Sequence, residues 1–422
     1  MTRLTARADR PLIRPNHRSH RFVLIELTAP PATQRRERAP VNLAFVLDRS
    51  GSMSGMKLEL AKQAAEEALA RLDDRDRFSI VVYDDAIDVV VESTPASAEA
   101  RRNAIDRLPQ VDARGSTNLA EGWFRGCEQV ATHLSSDGID RVLLLTDGLA
   151  NQGITDASGL ARHAAELRAR GVSTTTFGVG NDFDEALLQA MSDAGGGHFY
   201  YIADAAQIRD HIASEVGETL EVAARKAELE VLAGEGIAIE TISPHGLTGH
   251  GTRSIVGLGD LVADQAVDVV LRLTFPYGQL GRDTGLIVRA LDRQGGFGSA
   301  GVRDARLTWT WADDQANDTQ PRDIDVDRAV ARHFAARARQ EAVARNRAGD
   351  FESARRVLEG TAKRIRKYAG RDADLRALVA ELEREMARFA APMQARLLKE
   401  VHFASANVAR SRDVLGRACR SR

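Results

Sequence analysis

Cysteine is almost missing from this sequence. Its 422 residues hold two, Cys127 and Cys419, far apart and without partners at CxxC spacing. A disulfide framework and a structural zinc site are therefore excluded as organising devices, and both side chains are expected to be reduced, incidental thiols. Long apolar runs are missing as well. No stretch approaches the length that crosses a bilayer, and the basic opening MTRLTARADRPLIRPNHRSH has no apolar core of the secretory kind. The expectation from these absences is a cytoplasmic protein. The ten histidines form no HExxH or HxH cluster, and His198 and His245, beside glycines, read as loop residues. Gly178-Val179-Gly180 lacks the third glycine of a dinucleotide fingerprint, and Gly51 to Lys57 has its lysine misplaced for a phosphate loop, with no Ser or Thr after it. No nucleophile and base stand at a telling spacing, so no hydrolase constellation is visible and the expectation is a protein that is not an enzyme.

What is present is ordinary for a globular protein: 43% hydrophobic and 28% charged residues, in a length that suits two or three domains. The formal net charge of −2 conceals an uneven distribution. Residues 322 to 422 carry 24 Lys/Arg against 14 Asp/Glu, so the preceding chain is acidic. Because those basic residues are interspersed with acidic ones and lack interleaved aromatics, solvated helix faces or docked complementary surfaces are favoured over a nucleic-acid tail.

The most informative stretch is Val41 to Met56, VNLAFVLDRSGSMSGM. Its almost continuous apolar run to Leu47 is the pattern of a strand buried on both faces of a parallel sheet. Asp48, Ser50 and Ser52 follow at alternate positions, with Gly51 between the serines so that the backbone can turn and the oxygens converge. One carboxylate and two hydroxyls at the C-terminal end of a strand suit a hard divalent cation, Mg²⁺ above all, with Mn²⁺ or Ca²⁺ as alternatives. Asp84-Asp85, after a later strand, is better read as an acidic turn than as a second metal site.

At these residues the chain resembles the von Willebrand factor A (VWA) family, whose metal-ion-dependent adhesion site begins with a DxSxS motif. Gly115-Ser116-Thr117-Asn118-Leu119 is similar to the family's threonine loop, and Leu143 to Gly148, LLLTDG, to the strand and turn carrying its second aspartate. The resemblance covers roughly residues 41 to 222 and implies a bacterial, intracellular type. It further implies that Ser50, Ser52 and Thr117 hold the metal directly while Asp48 and Asp147 complete the shell, often through water. It implies a protein partner that supplies an Asp or Glu to the metal. Bacterial members are often linked to AAA+ ATPases, to kinase and phosphatase systems or to metal chelatases.

Elsewhere the pattern assigns the architecture. Residues 1 to 20 read as irregular because of Pro11 and Pro15, and Arg21 to Ala29 reads as a lone strand followed by a charged linker, QRRER, between prolines. Alternating strands and helices from Val41 to Leu220 predict a doubly wound, mostly parallel, Rossmann-like sheet. Period-two segments AELEVLA, IAIETIS, AVDVVLRLTF, GLIVRALD and ARLTWTW predict an antiparallel β-sandwich over 223–312. The lone strand within 1–40 would belong to that sandwich, so the fold class is an α/β VWA domain (41–222) inserted in, or followed by, a β-sandwich. A polar linker, Asp313 to Asp325, then leads to a C-terminal α-helical hairpin or bundle over 326–408, whose turn Arg347 to Phe351 resembles a single tetratricopeptide-type unit. A flexible basic tail, 409–422, closes the chain.

Three functions compete on these residues. A metal-dependent protein-binding module is favoured. A structural scaffold whose metal only stabilises the fold is the first alternative. Mg²⁺-assisted phosphohydrolysis with Asp48 as nucleophile is the second, and it is weakened because Ser50 stands where enzymes of that class place their acidic aspartate.

Overall fold

A strand that carries Phe22, Val23, Leu24, Ile25 and Leu27 has apolar side chains on both faces and must be covered on both. The computed structural model, which describes residues 2–31, 38–150, 152–292, 295, 297 and 302–421, covers it that way. The chain opens with β1 (Arg3–Ala8), β2 (Leu12–Ile13) and β3 (His20–Thr28). It then builds a second compact unit from residues 38–222, which also includes 415–417, before returning to the first. The QRRER linker lies, except for Arg38, outside the described residues.

The second unit runs β4 (Val41–Asp48), α1 (Met56–Ala70), β5 (Arg77–Tyr83), β6 (Ile87–Pro95), α2 (Ala98–Arg107) and α3 (Leu119–Ala131). It continues with β7 (Ile139–Thr146), α4 (Ala157–Arg170), β8 (Val172–Val179), α5 (Glu185–Gly195), β9 (Gly196–Ile202) and α6 (Ile208–Leu220). The strands form one sheet in the order β6-β5-β4-β7-β8-β9, parallel except for the edge pair β5/β6. Every residue of β4 and of β7 is buried, as a strand at the centre of a two-sided sheet requires. From β4 the chain goes first to β5 on one side and later crosses to β7 on the other. The crevice at their C-terminal ends is thus the topological switch point where open α/β sheets hold their ligands. Helix α3 lies over β4, β5 and β7 at close range because Gly126 faces Val46; a methyl there would come within 2.2 Å of Val46 Cγ2.

The first unit resumes with β10 (Val222–Ala233), β11 (Ala238–Thr241), β12 (Leu247–His250), β13 (Arg253–Val262), β14 (Ala266–Thr274), β15 (Asp283–Leu291) and β16 (Ala305–Trp311). Five helices follow, α7 (Asp314–Thr319), α8 (Ile324–Arg347), α9 (Phe351–Ala369), α10 (Ala373–Phe389) and α11 (Ala395–Ala409). Two sheets face each other, one ordered β1-β3-β14-β11 and the other β12-β13-β10-β15-β16-β2. β3 pairs antiparallel with β14 along its whole length, from His20 opposite Thr274 to Thr28 opposite Ala266. Val23, Ile25 and Leu27 share the intersheet core with Val269, Leu271, Leu229, Val231, Val288 and Trp309. On the other face Leu24 and Val270 pack against Val326, Ala329 and Val330 of α8, and Phe22 meets Phe334 edge-on at 5.8 Å.

Four expectations are corrected. Residues 3–8 are a strand rather than irregular chain, because β1 borders β3 from Arg3 opposite Thr28 to Ala8 opposite Val23. Asp313 to Asp325 is no bare linker: it contains α7, whose buried Asn317 donates to the carbonyls of Ile13, Ala312 and Asp313 at 3.2, 2.9 and 2.9 Å and accepts from Arg21 at 3.0 Å. The helices are not a separate bundle, since α8 is the lid of the first sheet while its own further length, with α9, α10 and α11, forms a second core around Leu358, Ile365, Leu382 and Phe389. The basic tail is tied down through residue 421, with Cys419 accepting from the Ala266 N–H at 2.8 Å and Ser421 donating to Asp264 at 2.9 Å. The strand β13, RSIVGLGDLV, carries no strict alternation and β12, LTGH, is only four residues long, which is why period two alone passes over them.

One buried titratable group gives the first unit a pH dependence. His333, on α8 and only 5% exposed, has its pKa pushed down to about 4 by burial and, secondarily, by the charge of Arg332. The folded value lies below the ordinary 6.5, so the unfolded chain takes up the proton first. The stability this neutral imidazole allows is present above the unfolded value and is lost as pH falls through it towards the folded one. Between pH 7 and pH 4.5 the wild type should lose on the order of 2 kcal/mol more than His333→Leu, read as the difference between their urea unfolding curves at the two pH values.

Candidate metal centre

The crevice at the ends of β4 and β7 is built by three separate pieces of chain. Asp48 is the last residue of β4; Ser50 and Ser52 follow in a tight turn whose residues 51–53 make one turn of 3-10 helix. Thr117 sits on the loop before α3, and Asp147 directly follows β7. Register brings the first and third pieces side by side, since Leu47 lies opposite Leu145. The threonine loop is held by backbone bonds: Gly51 N–H to Gly115 C=O at 3.2 Å, Arg114 N–H to Arg49 C=O at 2.8 Å and Asn118 N–H to Asp84 C=O at 2.9 Å. Gly115 is required there, for its φ is +69° and a Cβ would fall 1.8 Å from Asp85 Oδ1. Asn118 starts α3 as its cap.

All five residues anticipated from the sequence come together. Ser50 Oγ and Ser52 Oγ are 3.1 Å apart, and Ser52 Oγ donates to Asp147 Oδ1 at 2.6 Å. A methyl on Gly148 would lie 3.1 Å from Thr117 Oγ1 and 3.9 Å from Ser52 Oγ, which places both hydroxyls over the same glycine. Asp48, Ser50, Thr117 and Asp147 are buried, and Ser52 is the exposed member. One Asp48 oxygen accepts the Ser50 N–H at 2.7 Å and the other the Thr146 hydroxyl at 2.6 Å. Burial nevertheless pushes the Asp48 carboxyl up to about 6, against the pull of the Thr146 and Ser50 hydrogen bonds. Two carboxylates and three hydroxyls, mostly withdrawn from water and converging on one crevice, are a donor set that fits a hard oxygen-loving cation.

Two contributors were not singled out from the sequence. Thr146 is the polar residue that ends the apolar run Val142 to Leu145 of β7, which was the available signal. Lys57 stands in the first turn of α1, where the helix dipole disfavours a cation, and its ammonium contacts Asp147 Oδ2 and donates to the Ser52 carbonyl at 3.3 Å. Arg49, inside the motif, points elsewhere: it pairs with Asp84 at 3.3 Å and Asp88 at 2.5 Å, and Arg114 bonds the same Asp84 at 2.8 Å. Burial raises the Asp84 pKa, yet the Ala86 N–H and the two guanidiniums outweigh it and hold the carboxyl below its usual range. The Asp84-Asp85 turn is thereby an ion-paired brace for the threonine loop.

His198 is on β9 rather than in a loop, 3.0 Å from Glu215 Oε2. With Glu218 these residues form a His/carboxylate group of metal-ligating type. Glu215 is already met by Arg141 at 2.7 Å, Thr175 at 2.7 Å and Tyr200 at 2.8 Å, so the group is a buried ion-pair network between β7, β8, β9 and α6.

A family profile for the von Willebrand factor type A domain matches residues 42–214. The chain is 33% identical over 202 residues to an uncharacterized protein, YfbK, of Escherichia coli K12, an overlap that covers 47% of this chain and 35% of that one. It is 29% identical over 170 residues to inter-alpha-trypsin inhibitor heavy chain H1 of Bos taurus, covering 38% of this chain and 18% of the other. The chain thus spans well under half the length of either relative. Among solved structures, a von Willebrand factor type A protein from Catenulispora acidiphila matches 100% of this chain and 98% of its own at a TM-score of 0.70 and 18% identity. The ArnB paralog VWA2 from Sulfolobus acidocaldarius matches 97% and 98% at 0.60 and 16% identity. At these identities the likeness is one of fold. Among the described residues no helix is long and apolar enough to cross a membrane.

The Thr146 hydroxyl gives a direct test of how the crevice holds Asp48. Thr146→Val keeps the shape and removes the donor to a buried carboxylate, and should cost about 2 kcal/mol in urea unfolding at pH 8 in EDTA, with Thr146→Ser restoring most of it. A Thr146→Val protein as stable as wild type would show that the bond contributes nothing.

Proposed function

Residues 42–214 are a von Willebrand factor type A domain, a typical protein-protein interaction module, and from that premise we propose that this chain binds a protein partner through a divalent cation held by Asp48, Ser50, Ser52, Thr117 and Asp147. The observation that carries this reading is the convergence of three hydroxyls and two carboxylates, from three separate segments, at the switch point of the sheet, with Ser52 alone reaching solvent. A cation such as Mg²⁺ bound there would supply an electrophilic centre with a coordination position left for an Asp or Glu of the partner. Ser50, Ser52 and Thr117 contribute neutral oxygens, which leave that charge largely uncancelled. Asp147 orients Ser52 by accepting a hydrogen bond from its hydroxyl, and Asp48 fixes the Ser50 backbone and so the position of the Ser50 hydroxyl.

Asp48 is a poor candidate for a nucleophile, because both its oxygens accept hydrogen bonds and the residue is 0% exposed. That supports the binding reading over phosphoryl transfer. A cation that served only to stabilise the fold would not need an exposed ligand on its rim.

Thr117→Ala removes a neutral oxygen from a loop and leaves both carboxylates, so the fold should survive. Asp48→Ala removes a charge, and should lower Mg²⁺ affinity at least about tenfold in calorimetric titration. Both variants should fail to retain a partner that wild type captures from native lysate in Mg²⁺ and releases in EDTA. If the partner bound Thr117→Ala in EDTA as well as it binds wild type in Mg²⁺, the interaction would belong to another surface.

A further inference from the structure

Lys57 is the one cation in contact with the two-carboxylate crevice among the described residues, and its position is built rather than incidental. The tight turn at 51–53 and Gly55, whose φ is +78°, start α1 so that its first turn faces the end of β7. The Lys57 ammonium then contacts Asp147 Oδ2, donates to the Ser52 carbonyl at 3.3 Å and lies 3.9 Å from where a Cβ on Gly180 would sit. Asp147 is 1% exposed, its other oxygen accepts the Ser52 hydroxyl, and the Lys57 side chain keeps 31% exposure. The ammonium therefore neutralises a buried carboxylate while itself remaining partly in solvent, beside the exposed Ser52.

We propose that Lys57 is a tethered counter-ion that occupies the Asp147 side of the crevice in the metal-free protein and competes with the divalent cation for it. This rests on the metal-binding reading given above. Two positive charges cannot share one carboxylate at close range without strong repulsion in a poorly hydrated pocket. Loading the metal must swing the ammonium, on its flexible four-carbon stem, out to solvent through the exposed side. Two consequences follow. The metal-free crevice is spared the mutual repulsion of two carboxylates without a counter-ion, and the metal binds more weakly than its five oxygens alone would allow. Lys57 in this account is a positioning residue that sets the affinity of the site without being a ligand.

The test is Mg²⁺ titration by calorimetry of the EDTA-stripped full chain, as wild type, Lys57→Met and Lys57→Arg, with thermal unfolding of each in EDTA. Methionine keeps the stem and removes the charge; arginine keeps the charge. Lys57→Met should bind Mg²⁺ on the order of tenfold tighter than wild type. Its metal-responsive thermal transition should fall by roughly 4 °C in EDTA, so that the shift on adding Mg²⁺ widens. Lys57→Arg should stay within about threefold of wild type in Mg²⁺ affinity, since its charge is retained. If wild type binds Mg²⁺ and Lys57→Met binds it equally or more weakly, the lysine organises Asp147 instead of competing for it, and the inference fails while the metal reading stands. If neither protein binds Mg²⁺, both are overturned.

Discussion

The burial of the Asp48 carboxylate at the end of a fully buried strand is the constraint on which the rest of this crevice depends. A carboxylate in that position is costly unless every oxygen is met, and its pKa, raised to about 6, records that cost. Its neighbours are arranged around that need. The backbone turns at Ser50 to offer an N–H, β7 ends in Thr146 to offer a hydroxyl, and Tyr83 closes the floor with its own hydroxyl on the Leu145 carbonyl at 3.3 Å. Asp147 follows one residue later and brings a second charge into the same volume. The parallel sheet supplies the rigidity, because adjacent strands in register keep the two segments at a fixed separation that side-chain entropy cannot loosen.

The same principle of double coverage organises the other unit, with apolar groups in place of charges. β3 is made before the inserted unit and pairs with β14, which is made after it. Its odd and even residues serve different cores, Val23, Ile25 and Leu27 towards the facing sheet and Leu24 towards α8. Neither core can be complete until residues on both sides of the insertion have met, so the contact order of this unit is high by construction. That is also why the C-terminal helices are part of the sandwich unit: without α8, the outer face of β3 and β14 would expose Leu24 and Val270 to water.

Much of the crevice was legible in the sequence because its chemistry is local. Asp48, Ser50 and Ser52 are three positions of one turn, and Asp147 ends an apolar run of the length of a strand. Thr117 was reached through family resemblance, since a lone threonine in a polar loop carries no period and no charge. Lys57 and Thr146 were not legible as contributors, because what matters about them is a distance to a residue some 90 or more positions away. The sandwich showed in alternation where a strand has one wet face, and hid where alternation failed, as in β13. Expectations built on proline and polarity alone misplaced β1 and α7. β1 is held by its pairing with β3, and α7 by Leu12, Ile13 and Arg21 some 300 positions away, neither of which shows in the composition of the segment itself.

The two units are held to their shapes by constraints of different kinds. The family profile matches residues 42–214, the unit that holds the crevice, and the likeness of fold to the Catenulispora protein extends over the whole chain at 18% identity. Cores made of Val, Leu and Ile tolerate many substitutions provided volume and pattern are kept, so a sandwich and its helical lid can hold their shape while their sequences drift. A crevice of five converging oxygens has no such latitude: a hydroxyl moved by one position loses both its hydrogen bond and its place in the donor set, and a buried carboxylate left unmet is penalised at once. Polar geometry is thus the exacting constraint at the crevice, while volume and pattern are the looser one in the sandwich and its helical lid.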